Sequence, residues 1–138
     1  WQSRIQTKSF EPGLDITAVC ASCADAPCVA ACPKEAGALT RDRVNGSILL
    51  NEAKCIGCRA CLAVCDKDRA GVIRLSRDGG KVLGICDLCG GDPTCVKVCP
   101  EQCLSIVPAN QDGRRFAAKP ADIAEKLSRN IFRSGRTS

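Results

Sequence analysis

The chain has 138 residues, enough for one compact domain or two small ones, and 13 of them are cysteines. Its formal net charge is +5, but the basic residues are mostly dispersed, which argues against a nucleic-acid or acidic-membrane surface. The absence of His excludes Ser-His-Asp catalysis and mixed Cys/His zinc sites, and no apolar run approaches the length of a membrane span. The few aromatic residues lie near the two ends, so the cysteine-rich middle needs a covalent or metal staple in place of an aromatic core.

The cysteines fall into three groups that follow an N-terminal extension of residues 1–19. The groups are Cys20-x2-Cys23-x4-Cys28-x3-Cys32-Pro33, Cys55-x2-Cys58-x2-Cys61-x3-Cys65-Asp66 and Cys86-x2-Cys89-x5-Cys95-x3-Cys99-Pro100, with Cys103 following the third. The first cysteines of successive groups are 35 and 31 residues apart, which indicates an internal repeat.

The spacing within each group decides between disulfides, zinc and iron–sulfur clusters. Disulfide scaffolds favour an even cysteine count and a secretory signal, and this sequence has neither. Zinc usually takes two CxxC pairs, so a third cysteine close behind each pair has no role there. In a four-iron cluster, three cysteines of the short loop ligate one cluster and the fourth ligates its neighbour. The sequence therefore predicts three [4Fe-4S] clusters, which would bring the net charge to about −1.

Each cysteine group is predicted to be followed by short strands. Asn45-Gly46 lies between apolar residues and predicts one hairpin, and residues 71–75 and 81–83 flank Asp78-Gly79-Gly80 and predict a second. Residues 104–107 predict a strand after the third group. The expected fold is α+β: a two-cluster ferredoxin-like domain over residues 20–85 and a third-cluster unit over residues 86–110, built from short helices and β-hairpins.

Asp66 stands where the other two groups have Pro, and its backbone N–H is thereby retained. We expect this N–H to donate toward the sulfurs of the neighbouring cluster and to raise its potential.

The tail, residues 111–138, is predicted to contain an amphipathic helix over residues 121–133, with Pro120 at its start. Ile123, Leu127 and Ile131 recur every four residues and form one apolar stripe. The stripe packs either on its own domain or on a larger partner, and the small core favours the partner.

Three stretches carry a family resemblance: residues 20–33 (CASCADAPCVAACP), 55–61 (CIGCRAC) and 86–100 (CDLCGGDPTCVKVCP). They resemble the small multi-cluster electron-transfer subunits that accompany molybdenum or tungsten oxidoreductases, formate dehydrogenases and some hydrogenases. The third stretch is most similar to the subunits of tungsten aldehyde oxidoreductase-type enzymes, a group that includes tungsten-dependent benzoyl-coenzyme A reductases.

The resemblance implies a crossed ligand pairing. It assigns Cys20, Cys23, Cys28 and Cys65 to cluster 1, Cys55, Cys58, Cys61 and Cys32 to cluster 2, and Cys86, Cys89 and Cys95 to cluster 3. Four-cluster members of the family have a further cysteine group upstream, which this sequence lacks. The fourth ligand of cluster 3 is therefore expected to be Cys103 or Cys99, the alternative for Cys103 being a buried, inert thiol. The absence of Met suggests an encoded start further upstream, and a cysteine group there would return Cys99 to its family role.

The resemblance also implies a function. The chain would be a non-catalytic electron-transfer subunit of a large tungsten- or molybdenum-pterin catalytic subunit, in the cytoplasm of an anaerobe. The alternatives are a free polyferredoxin, the iron–sulfur subunit of a formate dehydrogenase or hydrogenase complex, and a structural zinc module or cluster-dependent sensor.

Overall fold

The computed structural model describes residues 3–11, 13–78, 80–107 and 118–133. In these residues three two-stranded antiparallel sheets alternate with short helices, which confirms the α+β class. The strands are β1 (Gln6–Phe10), β2 (Leu14–Ala18), β3 (Leu39–Arg41), β4 (Ile48–Leu50), β5 (Arg74–Leu75) and β6 (Val82–Leu83). The α-helices are α1 (Pro27–Ala30), α2 (Ala60–Asp68), α3 (Thr94–Lys97) and α4 (Pro120–Arg133), and 3₁₀ turns occur at Glu52–Lys54 and Leu88–Gly91.

The N-terminal extension forms a β-hairpin that the sequence analysis did not predict. β1 and β2 pair from Gln6 opposite Ala18 to Phe10 opposite Leu14. Gly13 has a φ of 86° and its N–H donates to the carbonyl of Phe10 at 2.9 Å, which closes the turn. The Pro-Gly pair at residues 12–13 is an ordinary turn signal, so the hairpin was detectable from the sequence.

Both predicted hairpins are present, but the first has a longer connection than Asn45-Gly46 suggested. β3 and β4 pair with Thr40 opposite Leu49, and residues 42–47 join them. The carboxylate of Asp42 accepts hydrogen bonds from the N–H groups of Val44 at 2.6 Å and Asn45 at 3.2 Å, which stabilises a wider loop. The second hairpin, β5–β6, has two residues in each strand.

The predicted strand at residues 104–107 is wrong. These residues are not in a strand, and Leu104, Ile106 and Val107 are exposed. Within the described part of the chain every strand already pairs in one of the three hairpins, so this segment has no partner strand.

Helix α2 extends beyond Cys65, whereas α1 ends two residues before Cys32. Pro33 cannot continue a helix because it has no N–H and clashes with the preceding turn, and Asp66 has neither restriction. Asp66 therefore lies inside α2, where helix geometry directs its N–H along the helix axis toward the preceding turn. That this N–H donates toward a cluster stays a prediction.

The apolar core is small and includes cysteines. Ile48 is almost fully buried, and Ala38, Leu39, Ile73, Val82 and Ile85 pack in the same cluster. Cys55, Cys61 and Cys65 belong to this cluster as well. The cysteine-lined region and the hydrophobic core are thus one continuous interior.

The N-terminal hairpin is attached to the core by polar contacts. Gln6 is buried, and its amide Nε2 donates to the carbonyl of Val72 at 2.5 Å. Just before β1, Arg4 pairs with Asp87 at 2.5 Å between Nη1 and Oδ1. The hairpin therefore reaches both the second and the third repeat units.

Helix α4 packs against the N-terminal hairpin, with contacts to β2 and β1. The buried residues of this contact region are Ile16 on β2 and Ala124 on α4. Leu127 and Ile131 lie further along the helix and are 39% and 53% exposed. The apolar side of α4 is thus partly covered by its own domain and partly open. None of the helices in the described residues has the length and hydrophobicity needed to cross a membrane.

Candidate metal centre

The three cysteine groups share one backbone feature. The residue before the second cysteine of each CxxC has a positive φ: 47° at Ser22, 71° at Gly57 and 57° at Leu88. Burial raises the pKa of Cys20 and that of Cys86 overall, although the backbone N–H of Ser22 lowers the first and that of Leu88 lowers the second. The first and third groups thus share a left-handed residue before the second cysteine, but in the third group Cys89 itself also has a positive φ, of 52°.

The first cavity is bordered by three cysteines of the first group and one of the second: Cys20, Cys23, Cys28 and Cys65. It encloses about 420 Å³, counted with its open mouth. Buried Ile48, Ile73 and Ile85 form part of its walls, and Arg69 is the charged residue among them. These four cysteines are the set that the family resemblance assigns to cluster 1.

The second cavity shows the reciprocal arrangement. Its cysteines are Cys55, Cys58, Cys61 and Cys32, and it encloses about 330 Å³, again with its mouth. This is the set expected for cluster 2.

The crossed arrangement follows from the helices. α2 carries Cys61 and Cys65, both buried, and the four-residue interval separates them by about 6 Å along the helix axis. Cys61 therefore lines the second cavity and Cys65 the first. Cys32 follows α1, which packs against α2, and it contributes to the second cavity in return.

Three of the thiols in these cavities have raised pKa values. Burial raises the pKa of Cys20 to about 12 and that of Cys28 to about 11, and nearby cysteine charges add to the effect. Burial likewise raises the pKa of Cys61. Such thiols stay protonated at neutral pH unless a bound metal takes the place of the proton. Among the described residues no three ligating side chains converge on a single metal ion, but four cysteines border each cavity, and thiolate sulfurs are the ligands that iron–sulfur clusters take.

The third group lies beside the first cavity. Burial is the main cause of the raised pKa of Cys86. Cys89 and Cys95 are close enough that their charges raise this pKa further. Charge on Cys86 in turn raises the pKa of Cys20. Ile85, the residue before Cys86, is part of the wall of the first cavity.

Cys99 and Cys103 form a close pair, with their sulfurs 3.4 Å apart. Cys103 is exposed, so the alternative that it is a buried, inert thiol is wrong. The hydrogen bond between the two thiols lowers the pKa of Cys99 and raises that of Cys103. The structure thus places both candidates for the fourth ligand of cluster 3 at one point.

Sequence reasoning missed Arg69, which lines the first cavity. Its position four residues after Cys65 was the available signal, since that interval places two residues on one side of a helix. Two other cations lie within the cysteine groups: exposed Arg59 lines the second cavity, and Lys97 pairs with Asp92.

Comparison with known proteins agrees with this geometry. Residues 14–66 match the family described as 4Fe-4S dicluster domain. The chain is 41% identical to the polyferredoxin-like subunit of aliphatic sulfonate oxidoreductase from Pyrococcus furiosus over 86 aligned residues. The aligned residues make up 62% of this chain and 46% of that subunit. The chain is 42% identical over 67 residues to the beta subunit of NADH-dependent phenylglyoxylate dehydrogenase from Aromatoleum evansii, an alignment that covers 46% of this chain and 15% of that subunit. It is 46% identical over 46 residues to the thiosulfate reductase electron transfer subunit PhsB from Salmonella typhi, an alignment that covers 33% of this chain and 22% of that subunit.

The chain spans less than half the length of these curated relatives. The matched segment, residues 14–66, contains the first two cysteine groups. The relatives are named as subunits of oxidoreductases, and two of the names specify a polyferredoxin-like or electron-transfer subunit.

Proposed function

We propose that this chain is an iron–sulfur electron-transfer subunit of an oxidoreductase complex and catalyses no reaction by itself. The observation that carries the proposal is the pair of cavities, each bordered by three cysteines of one group and one cysteine of the other. The dicluster domain match over residues 14–66 supports the same reading.

The proposed cofactors are three [4Fe-4S] clusters with crossed ligands in the first two. Cluster 1 takes Cys20, Cys23, Cys28 and Cys65, cluster 2 takes Cys55, Cys58, Cys61 and Cys32, and cluster 3 takes Cys86, Cys89, Cys95 and either Cys103 or Cys99. The shared positive-φ loop supports the third cluster, because Leu88 repeats the conformation of Ser22.

A [4Fe-4S] cluster, when bound, accepts or releases one electron. The protein supplies the surroundings that set the potential. Apolar walls such as Ile73 and Ile85 keep water from the first site, and the Ser22 N–H directs a dipole at the Cys20 sulfur. Because the third group adjoins the first cavity, cluster 1 would lie between clusters 3 and 2.

The proposed partner is a large tungsten- or molybdenum-pterin catalytic subunit, with a further redox subunit or ferredoxin as the second candidate. The resemblance of residues 86–100 to subunits of tungsten aldehyde oxidoreductase-type enzymes supports it. The exposed Leu127 and Ile131 on α4 provide apolar area for such a contact. The cytoplasm of an anaerobe is the proposed location, since low-potential clusters are damaged by oxygen.

The first experiment measures iron, sulfide, zinc, tungsten and molybdenum in the native complex purified without oxygen. The isolated chain is expected to hold about 12 iron and 12 sulfide, because each cluster contributes four of each. About eight iron would remove cluster 3 from the proposal, and zinc in place of iron would overturn it. Tungsten or molybdenum in a co-purifying large subunit would support the partner, and purification of the chain alone would favour a free polyferredoxin.

The second experiment tests the crossed pairing with paired Cys→Ser variants. Cys65→Ser should remove one cluster, and adding Cys20→Ser should remove no further iron, leaving about eight per chain. Adding Cys58→Ser to Cys65→Ser should remove a second cluster and leave about four. The reverse pattern would show that Cys65 belongs with the second group. Single Ser variants at Cys99 and Cys103 identify the fourth ligand of cluster 3 as the one whose loss lowers the iron content.

A further inference from the structure

Arg69 is held in a fixed position at the end of α2. Its backbone N–H donates to the carbonyl of Cys65 at 3.0 Å, so it directly follows the helix that lines both cavities. Its guanidinium donates through Nη2 to the Oδ2 of Asp25 at 2.6 Å and through Nη1 to the carbonyl of Asp68 at 2.9 Å. The Arg69 side chain is 20% exposed, against 55% for Asp25. The cation is therefore mostly buried, and the anion is the more hydrated member of the pair.

Arg69 lines the first cavity, as Cys23 does. Desolvation lowers the pKa of Arg69, but Asp25 and then Cys23 outweigh it, and the pKa is raised overall. The neighbouring walls are apolar, including Ile73 and Ile85. A charge acts more strongly across such a medium than across water.

The second cavity is built differently at the equivalent position. Arg69 follows Cys65 by four residues, and the residue four after Cys32 is Ala36, which lines the second cavity. The cation that does line this cavity, Arg59, is exposed to solvent. Water and salt screen such a charge, so the repeat places its more effective cation at the first cavity.

We propose that Arg69 tunes the site in the first cavity: its guanidinium, held at the cavity wall by Asp25 and the Asp68 carbonyl, favours the reduced state of the cluster bound there. This inference rests on the proposed function, since it concerns the potential of cluster 1. Reduction adds one electron and hence one negative charge, which a fixed nearby cation stabilises. Cluster 1 therefore has a higher potential than it would have with a neutral residue at position 69.

The test is an oxygen-free redox titration of the cluster-loaded full chain, followed by electron paramagnetic resonance. Arg69→Gln should make one cluster at least tenfold harder to reduce, equivalent to about 59 mV for one electron, with the other clusters unchanged. Arg69→Lys keeps the charge and should retain most of the wild-type potential. Arg43→Gln is the matched control, because Arg43 is exposed and lines neither cavity.

A Cys65→Ser background identifies the affected cluster. With cluster 1 removed, Arg69→Gln should no longer shift any potential, and a persisting shift would overturn the assignment to the first cavity. A lower iron content in Arg69→Gln without a shifted potential would mean a purely structural role and would also overturn it. A Lys variant as hard to reduce as the Gln variant would contradict the electrostatic cause.

The outcome separates this inference from the proposed function. If the wild-type chain holds no reducible cluster that is lost in Cys20→Ser, the proposed function and the role of Arg69 are both wrong. If it holds that cluster and Arg69→Gln leaves every potential unchanged, only the role of Arg69 is wrong.

Discussion

A positive φ before the second cysteine recurs in all three groups, but only one of the three residues is glycine. Ser22 and Leu88 adopt this conformation with a side chain, whereas a Cβ on Gly57 would lie 2.1 Å from the carbonyl oxygen of Gly80. The requirement for glycine at position 57 therefore comes from close backbone approach rather than from φ alone. The second cysteine loop and the segment after β5 are packed together at this point.

Gly57→Ala should destabilise the cluster-loaded chain by about 1–3 kcal/mol beyond the cost of the left-handed conformation, because backbone cannot move aside easily. The thermal midpoint of cluster loss, followed by visible absorbance, measures the effect. Gly13→Ala is the matched control, since Gly13 has a φ of 86° and nothing within 4 Å of its added Cβ. Equal midpoints for the two Ala variants would contradict the predicted clash.

Ser47 offers a prediction of the opposite sign. It is the last residue of the β3–β4 loop and is fully buried. Its hydroxyl has no hydrogen-bond partner among the described residues. Ser47→Ala should leave stability unchanged or raise it by about 1 kcal/mol, because the unpaired hydroxyl costs desolvation energy. The thermal midpoint measures this, with exposed Ser9→Ala as the control. A lower midpoint for Ser47→Ala alone would indicate that the hydroxyl has a partner.

At the same scale, the grouping of the cysteines could be read from the sequence, whereas the residues that surround them could not. Cysteine spacing is local chemistry, so the grouping could be read directly from the residue numbers. The role of Arg69 could not, because it depends on burial and on an ion pair with Asp25, 44 residues away. The position of Asp66 depends on whether α2 continues, which local sequence left open.

Among the elements, the short hairpins were predictable where turn residues marked them. The segment at residues 104–107 has suitable strand composition, but composition does not supply a partner strand. Helix α4 was predicted within one residue, since its apolar periodicity and Pro120 both mark it. The periodicity does not indicate which part of the apolar side of α4 packs against the N-terminal hairpin.

The two parts of α4 should respond differently to substitution. Ala124→Asp places a charge in the contact with β1 and β2 and should destabilise the isolated chain by more than about 1 kcal/mol, unlike Ala121→Asp at an exposed position. Thermal unfolding of the isolated chain provides the measurement. Similar midpoints for the two variants would show that α4 does not stabilise the domain.

The exposed part belongs to a separate prediction. A double variant, Leu127→Asp with Ile131→Asp, should keep the midpoint of the isolated chain but weaken its binding to the native partner at least tenfold. Binding of the purified chain to the large subunit measures this. Unchanged affinity would place the partner contact elsewhere.

For the molecule as a whole, the clusters are expected to replace a conventional core. Cys55, Cys61 and Cys65 are buried in the same hydrophobic core as Ile48 and Val82. Removal of the iron–sulfur clusters would therefore leave hollow sites inside that core. Structural metal sites contribute about 10 kcal/mol or more, comparable with the whole net stability of about 5–15 kcal/mol for a domain.

Removal of iron by a chelator should therefore abolish cooperative thermal unfolding rather than lower its midpoint slightly. Circular dichroism and calorimetry measure the transition, and addition of iron and sulfide should restore it. A chelated chain that still unfolds cooperatively would show that the apolar residues suffice without the clusters.

Helix α2 is a wall common to both cavities, because Cys61 borders one of them and Cys65, one turn later on the same side of the helix, borders the other. Filling either site would hold this helix in its final place and so present the remaining cysteine to the second site already oriented. The first insertion would bear the entropy of ordering α2 and the second would not. Cofactor loading would then be all-or-none, and half-loaded molecules would be scarce at intermediate iron supply.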